Sequence, residues 1–581
     1  MNDKNMQLFG NGLKRTYGTE ARRYNLLAAR LIADLVKGFL GPRGLEKMFI
    51  DILGEMTVTK DGATFLRKID VEHPAAKVII EASNAVDNAV GDGTTSVVVL
   101  IGALVEKAEE LLEMGVSPSR ISEGYQNALH MALEIVRKVS IETTNHDIKI
   151  MRYLIETCLR SKSVSHFTED IVIPSFVVDG ICEIADFSRY YLEIDDIKIE
   201  EKIGNSSDTE LVHGTVIDKT IDDSSMPRII ENAKILLLDS DIQDERTKTA
   251  AEIIISDPSE MTSFIKKKNS NLLQKIECVI ESGANVIFSR GGIDSLAINH
   301  FAKNKMLTVR RIKENDLLWL AKATGARVVR DLDSINGNDL GYAAKVYEKT
   351  VDDDKMVFVN GCRNPKSITF LLRANSKKIL DEFHRTILDS IYVLRNFISD
   401  PKIVPGGGAV EAFIAMQIKE RSYKLPGKEQ IVIQKFAEAL EEIPLTIARN
   451  SGLNTVDMRA HLRQRVYSQS QSKNNKKSKK DNFNNDRVWY GINALERKIG
   501  NMMELHVIEP LMVKEQILNT ATEVIILLMR VDDVLMKKPV ETHGHTHTHM
   551  DGTTHSHKGG NDPHDHFDKL GKQQRPMHHY Y

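Results

Sequence analysis

Apolar residues recur every three to four positions from Thr19 to Phe39, and Leu27, Leu31 and Leu35 fall on one face of the predicted helix. Gly41-Pro42 ends it. The loop LGPRGLEKM follows, and FIDILGEMTVT predicts a hairpin that runs into Lys60-Asp61-Gly62-Ala63-Thr64. Residues 75–138 read as helix almost throughout. Near residue 190 the texture changes to β, in YYLEIDDIKIEEKI, TELVHGTVIDK and AKILLLD. Short strands and helices then alternate to about residue 369, through VIESGANVIFSRGG, ATGARVV and KMVFVNG. Helical periodicity returns from Lys377 to about Pro539. A chain that is helical at both ends, with α/β texture between them, predicts a discontinuous outer domain around an inserted α/β unit.

Two segments break this pattern. Residues 466–487, VYSQSQSKNNKKSKKDNFNNDR, are polar and rich in Lys and Asn, which predicts a disordered, solvated insertion. The tail after Pro539 holds ten of the nineteen histidines and cannot build a core, so residues 539–581 are expected to be disordered. His543, His545, His547 and His549 alternate there, and neutral imidazoles suit a transition metal.

Composition narrows the class. The 581 residues are 41% hydrophobic and 27% charged, a globular balance with enough chain for several domains. A formal net charge of −3 gives no general pull toward nucleic acid or membrane, and neither is expected as a partner. Cys158, Cys182, Cys278 and Cys362 form no CxxC and read as buried small residues in a reducing compartment. The N-terminal stretch lacks the apolar core of a signal peptide, and no later run is long enough to span a bilayer. The expectation is a cytoplasmic protein.

The chemistry centres on Gly91-Asp92-Gly93-Thr94-Thr95-Ser96, followed at once by the long apolar run VVVLIGALVEKAEELLEM. The glycines permit a tight turn, and Thr95 or Ser96 is placed to cap the helix. The first amides of such a helix, backed by its dipole, form an anion site suited to phosphate. Asp92 offers the hard oxygen ligand that Mg²⁺ prefers beside phosphates. An ordinary capped helix would look the same, so the rest of the chain must decide. Lys60-Asp61-Gly62 adds a cation and a carboxylate on a turn, Asp389 lies among apolar neighbours in TILDSIYVLRN, and Pro405-Gly406-Gly407-Gly408-Ala409 lets backbone approach a ligand closely. No GxxxxGK[ST] occurs, which excludes a P-loop NTPase site.

LGPRGLEKM, TKDGATFL, GDGTTS, the sixteen-residue spacing between Asp389 and the run GGGAVE, and GINALERKIGNMMELHVIEP occur here in one order. Together with the middle segments IDDIKIEEKI, SMPRIIENAKILLLD and KMVFVNGCRNPKSITFLLR, they resemble group II chaperonins of the thermosome type from about Lys14 to Val534. The resemblance implies a multidomain α and α/β chaperonin fold. An equatorial ATPase domain, rich in helix, would comprise 1–147 and 404–538. An intermediate hinge would comprise 148–216 and 369–403, and an α/β apical domain 217–368, with a built-in lid protrusion at about 246–268. ATP and Mg²⁺ are the implied cofactors. Identical or paralogous subunits in two stacked rings, and unfolded protein clients, are the implied partners.

Carried over position by position, Leu40, Gly41, Pro42 and Lys60 would line the phosphates, Asp92 would ligate Mg²⁺, and Gly93, Thr94, Thr95 and Ser96 would hold the phosphate chain. Lys162 would sense the γ-phosphate, and Gly407, Asn493, Ala494 and Glu509 would hold ribose and adenine. Asp61 and Asp389 would orient and activate the attacking water, as phosphoryl transfer requires. Phe39 stands where the family usually has Thr or Ser, and Lys60 where group II members usually have Asn. Two rival readings follow from the departures: an ATPase-weak subunit serving a structural role in a mixed ring, and a tail devoted to metal storage.

Overall fold

The Thr94–Glu113 helix is apolar on nearly every side, and only a position surrounded by other elements satisfies such a surface. In the computed structural model, Val97, Val98, Val99, Leu100, Ile101 and Leu104 of this helix are all fully buried. Helices Pro74–Val90, Gly427–Leu440 and Leu511–Arg530 pack around it. The Gly18–Lys37 helix approaches so closely that a Cβ on Gly102 would lie 2.3 Å from that of Ala33. The structure describes residues 13–52, 54, 56–162, 173–243, 258–332, 335–363, 365–471, 486–537, 545–548 and 554–557. Residues 22–531 make one compact unit, and the described parts of 1–21 and 532–581 make another.

In the larger unit the first helix buries Leu26, Ala29, Ile32, Ala33 and Val36, not the leucine stripe that the spacing singles out. Leu27, Leu31 and Leu35 do share a face, and it is exposed. The helix carries two apolar stripes, and the one containing small alanines permits the close approach to Gly102. The expected hairpin forms between Lys47–Ile50 and Met56–Thr59, and helices Pro74–Val90, Thr94–Glu113 and Pro118–Val139 fill the stretch read as helical.

A large core joins residues from both halves of the chain, from Leu26 to Ile197 and again from Ile368 to Met529. The middle segment builds a second core, from Ile217 to Val359, on a mixed seven-stranded sheet. There Ile229–Leu238 pairs in parallel with Val286–Ser289, which pairs in parallel with Leu307–Val309. On its other side Ile229–Leu238 pairs antiparallel with Gly341–Val351. Parallel pairing of Ile197–Ile203 with Ile368–Ala374 brings the entry and exit of this segment together. The α/β texture is therefore an insertion, as the sequence pattern predicts.

Two further expectations shift. Helix Thr455–Gln471 continues into the Lys/Asn-rich insertion before residues 472–485 pass outside the described residues. Of the cysteines only Cys158 is buried; Cys182, Cys278 and Cys362 are half-buried, and all four are free.

In the smaller unit, Leu13–Tyr17 pairs antiparallel with Asp533–Lys537, with an exposed ion pair between Arg15 and Asp533 at 2.6 Å. The tail expected to be disordered contains a pair of strands, His545–Thr548 and Thr554–His557. Here a regular alternation of Thr and His provides strand-compatible residues that composition alone does not register. No described helix is long and apolar enough to cross a membrane.

Candidate functional site: a cavity at a helix N-terminus

The turn Gly91-Asp92-Gly93 needs left-handed backbone at both glycines, with φ of 68° and 83°. Gly93 occupies the N-cap position of the Thr94–Glu113 helix and provides no side-chain cap. The expected caps, Thr95 and Ser96, lie instead inside the first helical turn. Because Gly93 reverses the chain in the left-handed region, the helix starts before those hydroxyls can cap it. The Asp92 carboxylate accepts a hydrogen bond from the Gly93 amide at 2.7 Å, which holds it beside the helix start. A side chain at Gly93 would also strike Ile517, at 2.6 Å from its Cδ1.

Asp61 arrives from a second turn, where it caps the helix Gly62–Lys68 by accepting from the Thr64 amide at 2.7 Å. Its other oxygen accepts from the Thr94 hydroxyl at 3.4 Å, so the two turns are tied through a carboxylate. Burial works to raise the Asp61 carboxyl, but Lys162, the Thr64 bonds and Arg67 outweigh it and hold the group below its ordinary range. The Lys60 ammonium donates to the Pro42 carbonyl at 3.2 Å, which joins this turn to the loop after the first helix. Burial, with Lys162 adding repulsion and Glu46 opposing, lowers the Lys60 ammonium.

The third component is a buried ion pair across 227 residues of chain: Lys162 Nζ to Asp389 Oδ2, 2.5 Å. Asp389 projects from the long helix Lys377–Ser399. Burial pushes its carboxyl up to about 7, with Asp61 adding to the rise and Lys162 opposing it. Burial acts against the charge on Lys162, yet Asp389 and Asp61 outweigh it and raise the ammonium well above its ordinary value. Lys162 is therefore cationic at neutral pH, while Asp389 stands near its titration midpoint.

The fourth component is the strand Lys402–Pro405 and the glycines that follow it. Gly408 has φ of 73°, and a Cβ there would meet Pro444 Cβ at 2.6 Å, so the run is both a turn and a close approach. Glu509, on the neighbouring strand Ile508–Pro510, is paired with Lys514 at 2.8 Å, and Lys514 also reaches Glu411 at 2.7 Å. Burial and the facing Glu411 raise the Glu509 carboxyl, against the pull of Lys514.

These components enclose one cavity of about 340 Å³, within the range of small-molecule sites. Leu40, Gly41, Pro42, Lys60, Asp61, Asp92, Gly93, Thr94, Thr95, Ser96, Lys162, Gly407, Asn493, Ala494 and Glu509 all line it. Asp389 does not line it; the carboxylate lies behind Lys162. Phe39 lines the cavity edge-on to Phe65, with ring centroids 5.2 Å apart, and so fills with apolar surface the position where a hydroxyl was expected.

Sequence reasoning missed the residues that hold the walls. Asn450 donates to both the Lys37 and Leu40 carbonyls at 2.8 Å, which fixes the end of the first helix. Arg43 donates to the carbonyls of Ala494 and Leu495, at 2.8 and 3.0 Å, and clamps that loop to the Asn493–Glu496 turn. Arg160 and Thr157 also line the cavity. Arg43 lies inside LGPRG and could have been suspected; nothing around Asn450 marks it.

The motif order agrees with the comparison against known families. Residues 32–539 match the TCP-1/cpn60 chaperonin family. The chain is a group II chaperonin. It is 40% identical to thermosome subunit alpha of Archaeoglobus fulgidus over 533 residues, covering 91% of this chain and 94% of that protein. With thermosome subunit alpha of Aeropyrum pernix it shares 41% identity over 529 residues, 90% of this chain and 92% of the relative. With the alpha subunit of Sulfolobus acidocaldarius the figure is 39% over 547 residues, 92% and 95% of the two chains. The mixed helix and sheet architecture of this chaperonin fits the multidomain α/β fold of its family.

The tail histidines are remote in sequence from these motifs. His545 and His547 lie in the first tail strand, while His543 and His549 fall outside the described residues. Of the stretch 246–268 expected to form a lid protrusion, residues 246–257 fall outside them too, and the helix Pro258–Glu281 begins within its second half.

Proposed function

We propose that this chaperonin subunit binds ATP with Mg²⁺ in the cavity and hydrolyses it to drive the folding of non-native proteins. One observation supports the reading: the positions that the resemblance assigns to nucleotide contact, scattered from Leu40 to Glu509, line a single cavity at an uncapped helix start. Asp92 would hold the metal, which supplies charge neutralisation on the phosphates. Mg²⁺ beside phosphates needs only one or two carboxylates, so the donor set fits although no group of three candidate ligands occurs among the described side chains. The amides of Gly93, Thr94, Thr95 and Ser96 would bind phosphate oxygens, with Lys60 and the Leu40-Gly41-Pro42 backbone on the opposite wall. Gly407, Asn493, Ala494 and Glu509 would flank ribose and base.

The Lys162–Asp389 pair suggests how binding is linked to chemistry. A terminal phosphate draws Lys162 toward the cavity; Asp389, losing the cation that restrains its rise, becomes more basic and accessible to water. Asp61, already on the wall and held ionised, orients that water. The proton passes from water to the Asp389 carboxylate as the water oxygen attacks phosphorus and the bridging oxygen leaves with its electron pair.

In this reading residues 1–147 and 404–538 form the equatorial ATPase domain, 148–216 and 369–403 the hinge, and 217–368 the apical domain, with the protrusion at 246–268 closing the cavity of its own ring. Identical or paralogous subunits form two stacked rings around unfolded clients in the cytoplasm, through a two-state open and closed equilibrium. ATP turnover by the purified assembly is the test: Mg²⁺-dependent release of phosphate is expected, and its loss in Asp61→Ala with nucleotide still bound. No turnover by the wild type would favour the rival structural role.

A further inference from the structure

Building on the nucleotide reading of the cavity, we infer that Lys514 and Glu411 are positioning residues that hold Glu509 as an acceptor for a sugar hydroxyl, so that the site tells a ribonucleotide from its deoxy counterparts. The three side chains form a line of charge from the core to the cavity wall. Lys514 Nζ lies 2.7 Å from Glu411 Oε1 and 2.8 Å from Glu509 Oε2. Side-chain exposure rises along the line, from 4% at Glu411 and 5% at Lys514 to 20% at Glu509. Lys514 and Glu509 line the cavity; Glu411 is not among the lining residues.

The elements joined in this way bound the glycine turn. Glu411 stands in the first turn of the helix Ala409–Ser422, directly after Gly406-Gly407-Gly408. Lys514 stands in the first turn of the helix Leu511–Arg530, directly after the strand that carries Glu509. A Cβ on Gly406 would come within 2.8 Å of Glu509 Oε1, so the turn packs against the other oxygen of that carboxylate. Burial acts against the Lys514 charge, yet Glu411 and Glu509 outweigh it and raise the ammonium above its ordinary range. Glu411 Oε2 has no hydrogen-bond partner among the described residues, which leaves Lys514 as the tie that holds this carboxylate in the core. Lys514 therefore cannot turn away from Glu509 without stranding a buried charge. Glu509, fixed through Oε2, is a carboxylate that accepts hydrogen bonds and donates none, and a sugar hydroxyl supplies the donor that a deoxy sugar lacks.

The test uses the purified full-length assembly, with ATP, 2′-deoxy-ATP and 3′-deoxy-ATP bound in the presence of Mg²⁺. The wild type is expected to bind ATP about 10- to 100-fold more tightly than at least one of the deoxy analogues, as a hydrogen bond to a charged group allows. Lys514→Met with Glu411→Met replaces the inner pair by apolar groups of similar length and leaves neither of its charges behind. In that variant the preference should fall to within about threefold of unity, and KM for ATP should rise about tenfold while kcat changes less than about threefold. Glu509→Gln should lose the preference equally, and adding the two methionines to it should change nothing further. No ATP binding by the wild type would remove the nucleotide reading, and the positioning role with it. ATP bound without preference over either analogue, a wild-type preference in the double methionine variant, or additive losses on combining it with Glu509→Gln would overturn the positioning role alone.

Discussion

Replacing Asp389 by Asn tests the proposed chemistry at its most exposed point. The substitution keeps side-chain size and an oxygen that accepts from Lys162, and removes only the base. In the wild type, the carboxyl at about 7 leaves half of the sites ionised at pH 7. At pH 6 about one free site in ten would be ionised, so kcat/KM should fall about fivefold over that step and rise less than twofold from pH 7 to pH 8, while at saturating ATP, with Lys162 drawn away, the acidic limb of turnover should lie at higher pH. The sign follows from which form works: the base is the ionised carboxylate, so activity is lost as pH falls through the midpoint. In Asp389→Asn, turnover should drop by about 10²–10⁴-fold, equivalent to about 2.7–5.5 kcal/mol of barrier, and the acidic limb of the profile should vanish. Nucleotide affinity should stay within a few-fold, because Asp92, the helix amides and Glu509 are untouched. Steady-state phosphate release from pH 5.5 to 8.5, with binding measured separately by calorimetry, reads both quantities. Wild-type turnover in the variant, or an acidic limb that persists unchanged, would refute the assignment of the base.

Asp92→Ala should behave differently, weakening Mg²⁺-nucleotide binding itself; calorimetry with and without Mg²⁺ should show the metal-dependent part of the affinity gone. Asn450→Ala removes two hydrogen bonds to the Lys37 and Leu40 carbonyls and should cost about 1–3 kcal/mol of stability, read by chemical denaturation, with a rise in KM. An unchanged denaturation midpoint and KM would show that the loop is held by other contacts. Replacing residues 246–268 with a short Gly/Ser linker should leave ATP turnover in place but expose a captured client to protease after ATP is added. Full protection in that variant would mean that closure is achieved elsewhere.

Much of the site was legible in the sequence because its parts are local. Gly91 and Gly93 need backbone that only their residue type adopts readily, and the apolar run after them commits to a buried helix. The hairpin at Lys47–Thr59, the Pro405–Gly408 turn and the α/β insertion likewise follow from turn residues and period within short windows. Family motifs in order then named residues that no local pattern could join, such as Asn493 and Glu509.

What only the tertiary structure decided depends on contacts between distant segments. Periodicity shows that Leu27, Leu31 and Leu35 share a face, but whether that face is inside depends on which side of the helix meets Gly102, and small residues win that contact. The near-neutral carboxyl of Asp389 arises from burial, with Asp61 adding to the rise and a lysine 227 positions away opposing it, a field that no window of sequence contains. Asn450 is an unremarkable residue until its amide reaches two carbonyls at the end of the first helix.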